Sequence, residues 1–365
     1  MKIVVKVGTS TLTYENGQLN LEIMEKLSRQ ISNLQNRGDK VILVTSGAIG
    51  AGMGKLKITK KPKTIPEKQS LAAIGQGLLI ELYEKFFNEY GKVTAQLLLT
   101  KDDFSTKERY LNISYTLSNL LNFGVVPIIN ENDTVTVDEI KIGDNDTLSA
   151  LVADLIEADL LIILTDIDGL YDKNPAIHDD AVLIEEVKEF SDSLFDIAGV
   201  AGTERGTGGM YTKIQAAKIC WNSGIKMIIA NGKEENVLNK IANGEKIGTS
   251  FIPMSNPISS RKRWIAFNAR TEGYIFINVA AANTILKERK SLLPSGITNI
   301  EGEFSTGDCV GIIDSSGKEI ARGLINYSSS ELNKIKGLKT KEIETVLGYK
   351  SYDEIIHKDN LVIIV

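Results

Sequence analysis

Two clusters of amides and acids, Asn130-Glu131-Asn132-Asp133 and Gly143-Asp144-Asn145-Asp146-Thr147, stand where apolar runs end. Asp146-Thr147 also opens an amphipathic run through Leu148, Leu151, Val152 and Leu155. Side-chain carbonyls, carboxylates and helix-start amides therefore converge at a sheet end, where α/β folds hold ligands. The same residue types serve as N-caps and turn formers, yet turn chemistry does not require so many of them together. Lys6 closes the first β-rich run beside Gly8-Thr9-Ser10, and an ammonium with loop amides can hold a phosphate there. Thr207-Gly208-Gly209-Met210-Tyr211-Thr212-Lys213 is a glycine-rich turn into a helix with a lysine at its start, a sound polyphosphate cradle or else a plain flexible loop. Phosphoryl transfer needs positioning and cations on the migrating group's oxygens. Two lysines held apart and in line by Asp146, together with Mg²⁺, meet that need without a covalent nucleophile.

A third loop, Thr45-Ser46-Gly47-Ala48-Ile49-Gly50-Ala51-Gly52, follows another apolar run. Its glycines either let backbone N–H groups approach a ligand or let a helix pack closely on a strand. It is neither a Walker loop, because Leu56 follows Gly54-Lys55, nor a dinucleotide fingerprint, because Lys55 stands where the third glycine should be.

The elements that must position these residues alternate. Lys2–Val7 reads as a strand, and Leu21, Met24, Leu27, Ile31 and Leu34 recur at helical spacing up to Arg37-Gly38. Val41–Val44 is a continuous apolar run suited to a parallel strand buried on both faces. The pattern continues with a helix over 67–90, a strand over 93–99, a helix over 106–123 and a strand over 125–129. After a hairpin over 135–142, a helix starts at Asp146, and strands follow over 160–164 and 226–230. This predicts an α/β fold with a mainly parallel sheet and helices on both faces. Pro253, Pro257 and Arg261-Lys262-Arg263 mark a linker, beyond which short β runs form a small β-rich domain. The expected division is 1–255, a linker over 256–272, and 273–365.

The chain has 365 residues, 42% of them hydrophobic, and a net charge of -5, which gives no general attraction to nucleic acid or anionic membrane. No apolar run approaches the ~20 residues of a membrane span, and a cytoplasmic location is expected. The two cysteines, Cys220 and Cys309, read as reduced, buried thiols. The two histidines, His178 and His357, sit in no ligand-like cluster and read as surface residues, which argues against a zinc site or a His-based triad.

In this order the motifs are specific. Val5-Lys6-Val7-Gly8-Thr9-Ser10, Val44-Thr45-Ser46-Gly47-Ala48-Ile49, Asn130-Glu131-Asn132-Asp133, Gly143 through Ala150, Leu164-Thr165-Asp166 and Gly206 through Lys213 resemble, nearly end to end, the glutamate 5-kinases, amino-acid-kinase-fold enzymes with a C-terminal PUA domain. The resemblance implies a three-layer amino-acid-kinase sandwich and ATP-dependent phosphorylation of the L-glutamate side-chain carboxylate, the first step toward proline. It implies Lys6 and Lys213 neutralising the transferring group with Asp146 orienting them. Ser46, Asp133, Asn145 and Asp144 would bind glutamate, with Ser46 and Asn145 as donors to a carboxylate. Lys6, Thr165, Asp166, Thr207, Gly208, Gly209, Met210, Tyr211, Thr212 and Lys213 would hold ATP. Mg²⁺ would be carried mainly on the ATP phosphates, with no protein metal site. Proline as feedback inhibitor, a homo-oligomer (dimer or tetramer) and a downstream glutamyl phosphate reductase are implied as partners.

The tail resembles a PUA domain through Ser291-Leu292-Leu293-Pro294-Ser295-Gly296, Gly302-Glu303-Phe304 and Ala321-Arg322-Gly323-Leu324-Ile325-Asn326-Tyr327, departing at Asn278 and Ala280, where an aspartate and a glycine are expected. The second reading is an RNA-binding or RNA-sensing regulator acting through that domain. The tail's roughly balanced charge speaks against it. Other kinases of the fold, acting on aspartate, acetylglutamate, carbamate or uridylate, lack the combination of the Gly-Asp-Asn-Asp stretch and the PUA-like tail.

Overall fold

The computed structural model describes residues 1–365 except 15–17, 136–144, 176, 192, 199–208, 254–259 and 365. The chain divides into two compact units, Met1–Asp103 with Glu108–Pro257, and Phe104–Lys107 with Ile258–Val365.

In the first unit the strands are β1 (Lys2–Val7), β2 (Lys40–Val44), β3 (Thr94–Leu99), β4 (Val126–Glu131), β5 (Leu160–Thr165), β6 (Glu186–Val187), β7 (Lys226–Asn231) and β8 (Thr249–Phe251). They form one sheet in the order β3-β4-β2-β1-β5-β7-β8-β6, parallel throughout except between β7 and β8. The near-continuous Val, Ile and Leu runs of β1, β2 and β5 are buried on both faces, as parallel sheets require. Register puts Lys6 opposite Val44 and Ile163, Val44 opposite Ile129, and Thr165 opposite Asn231. The residues that follow these strands therefore all leave from one edge of the sheet.

The helices are α1 (Thr9–Leu12), α2 (Leu21–Asn36), α3 (Ala48–Leu56), α4 (Ile65–Asn88), α5 (Lys101–Ser105), α6 (Lys107–Asn122), α7 (Asn145–Leu155), α8 (Ser193–Ala198), α9 (Met210–Ser223) and α10 (Val237–Ala242). Helix α2 starts where the Asn20 side chain accepts from the Ile23 N–H and stops at Arg37, before Gly38 at φ +92°. Helix α4 starts with a capping box between Thr64 and Glu67.

Helix α3 corrects the sequence reading, which took Ser46 through Gly52 as a loop. Glycines disfavour a helix locally, but here they serve its packing on α4. A Cβ on Gly52 would lie 2.0 Å from the Leu71 carbonyl oxygen, and one on Gly75 only 1.7 Å from that of Ala48. The two backbones touch, which only glycine permits. Likewise Thr9 and Ser10, expected in a loop with Gly8, open the single helical turn α1. The expected hairpin over 135–142 falls almost entirely outside the described residues.

In the second unit, helix α11 (Ser260–Arg263) runs into a π-helical turn, Trp264–Asn268, within the stretch expected to be linker. The Trp264 indole donates to the Phe104 carbonyl at 2.9 Å. Strands β9 (Thr271–Ile277), β10 (Ile297–Gly302), β11 (Cys309–Ile313), β12 (Glu319–Leu324) and β13 (Leu361–Ile363) form a second sheet in the order β10-β9-β11-β12-β13. Helices α12 (Val279–Glu288), α13 (Ser329–Ile335) and α14 (Ile343–Leu347) belong to the same unit. Asn278, where the family pattern has aspartate, caps α12 by accepting from the Ala281 N–H at 2.9 Å. Among the described residues no helix is long and apolar enough to cross a membrane.

Both cysteines are buried free thiols. Burial pushes the Cys220 thiol far up and that of Cys309 to about 11. At a pH of about 8 the native protein should therefore resist iodoacetamide, and both thiols should react once it is unfolded; alkylation of the native chain would contradict this. The contact between α3 and α4 gives a second test. Gly75→Ala should destabilise by about 3 kcal/mol or more, because the added methyl overlaps backbone that cannot yield. Gly77→Ala, two residues on and with nothing within 4 Å of its Cβ, should stabilise by about 0.5–1 kcal/mol. Equal urea midpoints for the two variants would refute the packing account.

Candidate functional site

Lys6 projects from the end of β1, and Lys213 lies one turn into α9. Asp146, in the first turn of α7, joins them. Its Oδ1 meets the Lys6 ammonium at 2.5 Å and its Oδ2 meets that of Lys213 at 3.1 Å. The Thr212 hydroxyl donates to the same Oδ2 at 3.1 Å. Asp146 is 0% exposed, Lys6 4% and Lys213 5%. Two ammoniums meet one carboxylate in a nearly dry place, an arrangement able to receive the oxygens of an anion. Both carboxylate oxygens are engaged by ammoniums.

Beside it the Asn145 side-chain nitrogen lies 2.8 Å from Ser46 Oγ, 2.9 Å from the Thr45 carbonyl and 3.0 Å from Asn130 Oδ1. Residues from the ends of β2 and β4 and the start of α7 are thus tied at one point. The Asn145 Oδ1 is buried and has no partner among the described residues. A buried acceptor left without a donor is costly. Here the structure differs from the expected role of Asn145: its donors are spent on protein acceptors, and what it presents is an acceptor. Ser46, buried, accepts from Asn145 and keeps its own hydroxyl hydrogen to donate. Asp133, half-buried, follows β4 in a turn.

Helix α3 begins at Gly47, held at φ +92°, and α9 begins at Gly209; neither start has a side-chain cap. Their first N–H groups are available to an anion. Thr165, buried at the end of β5, donates to Asp166 Oδ1 at 3.1 Å, and its carbonyl accepts the Gly232 N–H at 2.8 Å. Asp166 is exposed. Met210, Tyr211 and Thr212 are half-buried, and the Tyr211 ring packs on Phe195 at 5.3 Å between centroids. Asp144, Thr207 and Gly208 lie outside the described residues.

Sequence reading assigned no role to Asn130, although it stood inside the first acidic-amide cluster. Nor did it single out Asn231, whose amide donates to Asp168 Oδ1 at 2.9 Å beside the end of β5. An asparagine before a glycine at the end of an apolar strand, Asn231-Gly232, was the available signal. Among the described residues no group of three or more His, Cys, Asp or Glu could hold a metal ion.

Comparison with known proteins agrees with this geometry. Residues 1–231 match the amino acid kinase family and residues 273–347 the PUA domain. A glutamate 5-kinase of Thermoanaerobacter sp. (strain X514) is 76% identical over 364 residues, covering 100% of this chain and 98% of that protein. The glutamate 5-kinases of Caldanaerobacter subterraneus subsp. tengcongensis and Moorella thermoacetica are 73% and 52% identical, each over 100% of this chain and over 98% and 96% of their own. A sheet edge carrying two lysines on one buried aspartate, in a chain matched end to end by such relatives, belongs to the amino acid kinase family, in its glutamate 5-kinase branch with a C-terminal PUA domain.

Proposed function

We propose that this chain transfers the terminal phosphoryl group of ATP to the side-chain carboxylate of L-glutamate, giving L-glutamyl 5-phosphate for proline biosynthesis. The observation that carries the reading is the Lys6–Asp146–Lys213 cluster standing next to the Ser46–Asn145 pair. The first is a cationic seat for a phosphoryl group, and the second a set of hydrogen-bonding groups suited to an amino acid. The end-to-end glutamate 5-kinase relatives supply the substrate.

In this reading Asp146 keeps the two ammoniums on either side of the migrating group, where charge spreads over its oxygens. The uncapped starts of α3 and α9 add N–H groups toward phosphates. Thr165, Asp166 and the stretch from Thr207 through Lys213, including Gly208, Gly209, Met210, Tyr211 and Thr212, hold the nucleotide. Ser46 donates to a glutamate carboxylate, while Asn145 Oδ1, Asp133 and Asp144 bind its ammonium. The attacking carboxylate is ionised near neutral pH, so no general base is needed. Mg²⁺, carried on the nucleotide phosphates, would offset their charge. We extend the proposal to a cytoplasmic location, a homo-oligomer, feedback inhibition by proline, and delivery of the labile acyl phosphate to a reductase.

ATP turnover with L-glutamate, aspartate, acetylglutamate and UMP in parallel, with Mg²⁺ and hydroxylamine present, should give hydroxamate with glutamate alone. Hydroxamate from another carboxylate, or none from glutamate, would overturn the substrate. Asp146→Asn should lower stability by about 3–5 kcal/mol, because it removes the buried carboxylate charge that two buried ammoniums share. Added inorganic phosphate should recover part of that loss. A variant as stable as its parent in urea would contradict the cluster's electrostatics.

A further inference from the structure

Within the second unit lies a cavity of about 560 Å³ lined by none of the residues above. Its apolar lining includes Ile285 of α12 and Leu361 and Val362 of β13, and three cations, Lys262, Arg289 and Lys358, line it as well. They come from three different elements that the fold holds together. The Leu292 N–H donates to the Ile356 carbonyl at 2.9 Å and the Lys358 N–H to Ser291 Oγ at 3.0 Å, which ties the segment after Arg289 to the segment carrying Lys358. None of the three side chains makes an ion pair or hydrogen bond among the described residues. The neighbouring Glu288 is turned to Lys290 at 2.6 Å, and Asp359, 70% exposed, does not line the cavity. Arg289 also occupies the left-handed position that ends α12, at φ 52°, where glycine is the usual residue. A side chain held there against backbone preference is a common mark of a functional site.

Like charges gathered around an apolar floor with no counter-charge repel one another until an anion joins them. The size lies within the range of small-molecule sites. A concave site with an aliphatic floor suits a compact head group carrying an apolar body, whereas a polynucleotide backbone is met by an extended basic stripe. We propose that this cavity is a second ligand site, separate from the glutamate and ATP site, that takes a small organic phosphate with an aliphatic portion.

Isothermal titration of the full chain with n-hexyl phosphate tests this, with inorganic phosphate alongside. Hexyl phosphate should bind the parent at least about tenfold more tightly than inorganic phosphate, because only it fills the apolar floor. Binding should weaken at least about tenfold in Arg289→Glu/Lys358→Glu and remain at the parental level in Lys318→Glu, an exposed turn residue that does not line the cavity. Should the double variant fail to fold, Lys262→Glu, on a separate helix, reads the same loss. Equal affinity in the parent and these variants would overturn the site. So would a short RNA whose binding depends on Arg289 and Lys358 while hexyl phosphate does not bind, which would assign the surface to a polynucleotide.

Discussion

A carboxylate without solvent contact holds two ammonium groups, and much of the first unit is arranged to keep it so. Burying three charges costs several kcal/mol per ion, and their mutual attraction only partly offsets that cost. The Asp146 cluster is therefore no device for stability, and an apolar trio of similar volume would cost the fold less. What an apolar trio could not supply is a nearly dry point with two ammoniums at fixed positions. The parallel sheet delivers Lys6 from its central strand, α7 delivers Asp146 and α9 delivers Lys213. Each comes from an element anchored by its own buried face, so the charges need not hold themselves in place.

The second constraint is steric. Ser46 and Gly47 lead straight into α3, and α3 is fixed by backbone contact with α4 through Gly52 and Gly75. Tyr83 of α4, whose phenol burial pushes far above its ordinary value, lies 3.1 Å from the Thr45 hydroxyl. The Thr45 carbonyl in turn receives the Asn145 amide. One chain of contacts thus runs from the interior of α4 to Ser46 and Asn145.

Much of this was legible in the sequence where the signal is local. The apolar run of β2 announced a doubly buried parallel strand, β1 and β5 read as strands, and Arg37 with Gly38 marked a helix end by its own chemistry. The two lysines and Asp146 were legible because phosphoryl transfer asks for those residue types at strand and helix ends. Helix α3 was not, since its glycines disfavour a helix until α4 lies against them, and nothing within residues 46–56 reports that contact. The contacts of Asn145 were hidden for the same reason. Which of its amide atoms is spent depends on Thr45 and Asn130, distant in sequence, and only the fold brings them within 3.0 Å.

The central claim is that the lysines act on charge that develops during transfer. Steady-state kinetics of Lys213→Ala with ATP and glutamate test it most directly. The account predicts a fall in kcat of about a hundredfold or more with glutamate KM changed by less than about threefold, because the ammonium matters most in the transition state. An unchanged kcat, or a loss confined to glutamate KM, would contradict it.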